Sequence, residues 1–150
     1  MTSPRGDVVV VLPWIGNKVL MQLRDIRPDI VHPGGWGFFG GSVEPGEAPI
    51  DAARREIAEE IEFTPSVLLP LSTDRIPELD HLVSHAFSCS LTLPLEKLVL
   101  REGRDFGLYS QEEIASGALY SRMLNAMFPV IPVSYIPDTV KKLMERRLKC

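Results

Sequence analysis

Cysteine is scarce in this 150-residue chain: Cys89 sits in a strand-like run and Cys150 is the last residue. Two such positions give no disulfide framework, so a reducing, cytoplasmic setting is the expectation. Long apolar runs are missing as well. Nothing approaches the roughly 20 residues that cross a bilayer, and the first seven residues lack the apolar stretch of a secretory leader, so no membrane partner is expected. An excess of positive charge is also lacking. The net charge is −4, which argues against a general nucleic-acid surface and so against a duplex partner. A charged small molecule held through a metal stays compatible with that sign. No internal repeat, low-complexity tract or long linker divides the chain, and one domain over residues 1–150 is predicted.

What is present reads as strands interleaved with a few helices. Residues 7–12 form a β-branched run, residues 18–23 alternate, and Pro13 to Asn17 supplies turn chemistry between them, so a hairpin is predicted. Residues 25–35 hold two prolines and two glycines and read as a long loop, a kind that is usually functional. A brief strand over 36–39 runs into Gly40-Gly41. A helix follows over 49–61, with Pro49 suited to its first position. Residues 67–75 and 82–93 read as further strands. Ser110 and Glu113 spell a capping box for a short helix closed by Gly117. Asp138 is expected to cap a last helix over 139–148. Residues 123–128 look like an apolar patch belonging to the core. Mixed strands and helices in this order imply a layered α/β domain.

The helix over 49–61 carries the chemistry. At about 100° per residue, Ile50, Ala53, Ile57 and Ile61 line one face. Glu56, Glu59 and Glu60 cluster on a second face centred roughly 100° away, beside the buried side and therefore at the lip of whatever the helix covers. Carboxylates three and four apart repel by roughly 2–3 kcal/mol per pair at an effective dielectric near 20. A divalent cation would relieve that repulsion. Mg²⁺ is the natural one, with oxygen ligands and a habit of bridging carboxylates to phosphates, and Mn²⁺ is a substitute. With no clustered Cys or His, zinc is disfavoured. A Glu-rich amphipathic helix taken alone is more often a solvated surface. The whole constellation of turn glycines, Glu47, Arg55 and three aligned carboxylates overturns that bland reading.

The same stretch resembles the Nudix box, G-x5-E-x7-R-E-U-x-E-E-x-G-U with U a bulky apolar residue. Gly41, Glu47, Arg55, Glu56, Ile57, Glu59, Glu60 and Phe63 fall in register, and Glu62 stands where glycine is expected. The resemblance implies an α/β/α sandwich around a mixed, partly closed β-sheet. It also implies hydrolysis of a nucleoside diphosphate linked to another moiety by metal-activated water. Carried over residue by residue, Glu56, Glu59 and Glu60 would be the metal-facing carboxylates, with the Gly40 carbonyl as a backbone ligand. Arg55 would pair with Glu47 to set the turn against the helix, and Glu56 or Glu60 would be the general base. Relatives often place an acidic residue on a loop after the long strand, and Glu102 is the candidate for completing the metal shell, ahead of Asp105. At Glu62 a left-handed conformation would cost about 1 kcal/mol or more, so the helix is expected to end differently, aided by Pro65.

On the substrate side, Arg24 and Arg27 flank the loop before the box and could meet phosphate oxygens. Trp36 could stack on a base or anchor the core. Phe39, where many relatives carry proline, reads either as packing or as a substrate wall. His32 lies in the same loop, and His81 and His85, four apart in a strand, read as structural. The run from Arg24 to Trp36 resembles the approach to the box in nucleotide-sugar and nucleoside-triphosphate members without choosing between them. The expected activity is a Mg²⁺-dependent pyrophosphohydrolase. Its rivals are a non-catalytic nucleotide-sensing module and an isomerase on the same scaffold. Relatives are commonly homodimers, though no residue here marks a dimer interface.

Overall fold

The computed structural model describes residues 6–26 and 34–148. Strand β1 (Val8–Ile15) and strand β2 (Lys18–Leu23) form the predicted hairpin, turning at Gly16 and Asn17. Gly16 supplies the positive φ (59°) that this two-residue turn requires. Pro13, expected in the turn, lies within β1 instead. Strands β3 (Trp36–Gly37) and β4 (Phe39–Ser42) follow. Helix α1 (Pro49–Ile61) covers the span read from the sequence. Strands β5 (Leu69–Ile76), β6 (Leu82–Ser90) and β7 (Asp105–Ser110) complete the main sheet. Helix α2 (Gln111–Ala115), strands β8 (Ala118–Ser121) and β9 (Ala126–Pro129), and helix α3 (Tyr135–Leu148) close the order.

Strand β1 organises the sheet. It pairs in parallel with β6 along one edge, while its other edge is shared by β4 near its start and β2 near its end, both antiparallel. Strand β2 continues to β3 and β7, and β5 lies on the far side of β6. The short segment from β3 to β4 thus crosses from β2 to β1 and splays the sheet without closing it into a barrel.

Period-two alternation then divides two cores. Val9, Val11, Leu20, Phe87 and Cys89 pack against α1 through Ala53, Ile57 and Ile61. Leu12, Val19, Met21, Leu23 and Ala86 pack the opposite face, under Ile114 of α2 and Ile136, Val140 and Leu143 of α3. This is the expected α/β/α layering on a mixed sheet. No helix among the described residues is long and apolar enough to cross a membrane.

Several local expectations are corrected. Helix α3 begins at Tyr135, four residues earlier than expected, which places Asp138 inside its first turn. Residues 123–128 form the turn and much of the second strand of the β8–β9 hairpin, with Met123 70% and Met127 59% exposed, so they are not a core segment. His81 has a left-handed φ of 57° just before β6 and does not share a strand face with His85. Ser110 does cap α2 through the reciprocal box with Glu113.

Candidate active site

The two turn glycines bring the sheet and the box helix together for different steric reasons. Gly40 has φ 154°, and a Cβ there would lie 2.0 Å from the Val9 carbonyl oxygen. A Cβ on Gly41 would lie 2.5 Å from the Glu56 carboxyl carbon. Glycine at the first position lets β4 lie against β1, and at the second it leaves room for a carboxylate.

Arg55 ties the loop after this turn to α1. Its Nε and Nη2 donate to the two oxygens of Glu47, each at 2.9 Å, and Nη2 also reaches the Ser42 carbonyl at 3.1 Å. Glu47 in turn accepts from the Glu44 amide at 3.0 Å. The bidentate guanidinium is the main reason the Glu47 carboxyl is held down to about 2. On its other side, Arg55 Nη1 donates to Glu56 at 2.6 Å and lies 3.5 Å from Glu59. Arg55 thus neutralises the outer carboxylates and leaves the inner one alone.

That inner carboxylate is Glu60, only 2% exposed. One oxygen accepts the Gly40 amide at 2.7 Å, and the other accepts the Gln22 side-chain amide at 3.3 Å. Gln22 also donates to the Glu102 carbonyl at 3.0 Å, which brings the Glu102 loop to the same place. Burial and then the nearby Glu102 push the Glu60 carboxyl up to about 9, with Glu56 adding to the rise and the two amides opposing it. Glu56 is also raised, by burial first, against the pull of Arg55.

Among the described residues, no three Asp, Glu, His or Cys side chains are drawn together as a ready-made metal cage. Glu59 points outward and its side chain is 56% exposed. The chemistry of the donors nonetheless fits a hard divalent cation. Glu60 is a buried carboxylate in the field of Glu102 and Glu56, and no cationic side chain among the described residues pairs with it. An uncompensated, all-oxygen group of this kind suits Mg²⁺ or Mn²⁺ better than a soft metal. The Gly40 amide holds one Glu60 oxygen, a contact separate from the ligand role expected of the Gly40 carbonyl.

Glu62 takes the left-handed conformation after all, with φ 53° and ψ 41°, and its amide caps α1 on the Ala58 carbonyl. The helix ends as a glycine would end it. The Glu62 carboxylate pairs with Arg101, whose amide bonds the Glu60 carbonyl at 2.7 Å. Asp105, the lesser metal candidate, is buried and accepts from the Ser121 hydroxyl at 2.7 Å and the Phe106 amide at 2.7 Å, so it holds the β8–β9 hairpin and not a cation.

The substrate-side expectations divide. Trp36 and Phe39 are both fully buried. The Trp36 indole donates to the Leu119 carbonyl at 3.0 Å and meets Tyr109 edge-on, while Phe39 packs under α1. Of the two alternatives left open for each, both residues take the core one, so neither is placed to contact substrate. Arg24 instead lines a cavity of about 210 Å³ on the α3 side of the sheet, along with Phe38, Ser84 and Tyr135. Gly40, Gly41 and Ser42 form part of its wall, while Glu56, Glu59, Glu60 and Glu102 do not line it. Arg27 and His32 lie outside the described residues. Gln22, Phe38, Ser84 and Tyr135 escaped the sequence reading. Only Gln22 carried a signal, a polar residue in the otherwise apolar run of β2.

The family model for the NUDIX domain matches residues 4–126. The nucleoside triphosphatase NudI of Escherichia fergusonii is 31% identical over 121 residues, covering 71% of this chain and 84% of that protein. The crystal structure of a MutT NUDIX hydrolase from Burkholderia pseudomallei superimposes with a TM-score of 0.69 at 16% identity, over 94% of this chain and 99% of that one. The NUDIX domain of Shewanella oneidensis NrtR, solved with ADP ribose, gives 0.68 at 15% identity, over 97% and 90%. At such identities the two structures speak for the fold, and the family match and the NudI relative speak for more. This chain belongs to the NUDIX family and is a Nudix hydrolase.

Proposed function

We propose that this protein is a Mg²⁺-dependent pyrophosphohydrolase that cleaves a nucleoside diphosphate linked to another group, with nucleoside triphosphates as the first class to test. The observation that carries the reading is the buried Glu60 carboxylate, held on the Gly40 amide and facing Glu102 and Glu56, next to a cavity that shares Gly40 and Gly41 as its wall. The NudI relative is a nucleoside triphosphatase by name, which sets the order of substrates.

Glu60 and Glu102 would hold the cation, with Glu59 on the outer side. When bound, the ion supplies charge neutralisation for the phosphate oxygens and Lewis acidity. Both Glu60 oxygens are engaged by amides, while Glu56 commits one oxygen to Arg55 and keeps the other beside Gly41. Glu56 is therefore the residue placed to take the proton of the attacking water. Arg24 meets phosphate oxygens at the cavity, and the base lies against Phe38, with the hydrogen-bonded Ser84 and Tyr135 hydroxyls (2.7 Å apart) facing its edge. Arg55 and Glu47 set the loop and touch no substrate.

The test is product analysis after incubation with nucleoside triphosphates, nucleotide sugars and dinucleoside polyphosphates, with and without Mg²⁺. The expected result is Mg²⁺-dependent appearance of a mononucleotide from at least one class. Tight binding of a nucleotide with no turnover in Mg²⁺ or Mn²⁺ would make the protein a sensor and contradict the proposal.

A further inference from the structure

Gln22 sits in β2 on the same sheet face as Leu20, the face covered by α1, and is only 3% exposed. Its side-chain nitrogen donates to the Glu60 carboxylate and to the Glu102 backbone carbonyl. Both partners are acceptors, which fixes which end of the amide faces them. Burying a primary amide in an apolar strand is unfavourable unless its hydrogen bonds are made. One residue therefore joins two segments far apart in sequence, the box helix and the loop after β6, at the point where their carboxylates approach.

The loop is shaped to this contact. Gly103 has φ 97°, and a Cβ there would lie 2.7 Å from the Leu23 carbonyl and 3.0 Å from the Gln22 side chain. The adjoining Arg104 amide bonds the Leu23 carbonyl at 2.8 Å. The backbone after Glu102 is thereby drawn onto β2 beside Gln22. The Arg101 amide bonds the Glu60 carbonyl from the other side.

We propose that Gln22 is a positioning residue for the divalent cation, fixing one Glu60 oxygen and the Glu102 loop in a single arrangement so that the two carboxylates are presented together. The end of its amide that faces the two acceptors is the donor nitrogen, which does not ligate a cation. The inference rests on the metal-dependent reading above. Residues that orient metal-binding carboxylates typically change metal affinity by about 10–100-fold when replaced.

The experiment is Mn²⁺ titration of metal-free protein by electron paramagnetic resonance, on wild type, Gln22→Met and Gly103→Ala, alongside melting curves with and without Mn²⁺. Gln22→Met keeps the length of the side chain and removes the donor. Gly103→Ala keeps the Gln22 amide group but crowds it and the Leu23 carbonyl, so that the Glu102 loop is displaced. Both variants are expected to bind Mn²⁺ about 10–100-fold more weakly, with a smaller Mn²⁺-induced rise in Tm; the metal-free Tm should stay near that of wild type in Gln22→Met and fall in Gly103→Ala, whose Cβ would meet the Leu23 carbonyl at 2.7 Å. A purely structural Gln22 would give a lower metal-free Tm with wild-type Mn²⁺ affinity, and that result would overturn the proposal. If Gln22→Met does not fold, wild-type Mn²⁺ affinity in Gly103→Ala overturns it equally. Wild type that binds no Mn²⁺ would defeat the metal-dependent reading itself, a distinct outcome.

Discussion

The Glu60 carboxylate and the Gly40 amide are joined by a 2.7 Å hydrogen bond between the last turn of α1 and the start of β4. It pins a buried acid to the backbone of the glycine turn. The pair defines where the helix face and the sheet edge meet.

The two glycines of that turn should respond differently to alanine. At Gly40 the new Cβ meets the Val9 backbone at 2.0 Å, where nothing can give way, and a loss on the order of 3 kcal/mol is expected in chemical denaturation. At Gly41 the new Cβ meets the far end of the Glu56 side chain. Gly41→Ala should fold within about 1 kcal/mol of wild type but lose about 100-fold in kcat/KM. Equal stability losses in the two variants would contradict this division.

Metal-free stability should depend on pH with an unusual sign. The Glu60 carboxyl lies at about 9 in the folded chain against an ordinary 4.5, chiefly through burial. Between those values the folded state keeps a proton that the unfolded state has lost, so stability falls as pH rises through the window. Glu47, held down to about 2 by Arg55, acts oppositely, and its contribution disappears only as pH falls from 4.5 through 2. Denaturation in a chelator should therefore show lower stability at pH 8.5 than at pH 6. Saturating Mg²⁺ should reduce the difference, since the cation competes with the Glu60 proton. Stability rising across that range in chelator would contradict the Glu60 assignment.

Removing Arg55 strips the cation from Glu47, Glu56 and Glu59 together. Arg55→Ala should lower Tm and kcat/KM together. Arg55→Lys should recover little, because an ammonium cannot reproduce the fork onto Glu47. Melting temperature and kinetics measured together check both statements.

Aromatic residues around the β3–β4 crossing should separate by whether they line the cavity. Trp36→Phe loses the Leu119 hydrogen bond and should lower Tm with KM unchanged. Phe38→Ala and Tyr135→Phe alter the cavity wall and should raise KM. A KM effect confined to Trp36→Phe would restore the stacking role that its burial removes.

The layering, the box helix and its turn were legible because they rest on local chemistry: period two in β1 and β2, Pro49 at the helix start, and carboxylates at helical spacing. Which side of the β3–β4 crossing each aromatic faces was not legible. The chain irregularity at Phe38 sends Trp36 and Phe38 to the α3 core and Phe39 to the α1 core, and no spacing rule records it. The ending of α1 escaped because Glu62 accepts a left-handed backbone and pairs with Arg101, 39 residues away. Strand β7 was hidden for a similar reason, since Asp105 and Gly107 look like turn residues until β2 supplies their partners. Gln22 stood out only as a polar break, and its partners lie 38 and 80 residues distant.

The most direct test is Mg²⁺-dependent release of mononucleotide from nucleoside triphosphates by wild type and Glu60→Gln, both confirmed folded. Wild type should turn over in Mg²⁺, and the variant, which keeps the shape of the side chain and removes its charge, should fall by about 10²–10⁴-fold. Equal turnover by the two proteins would contradict a site built on the buried carboxylate.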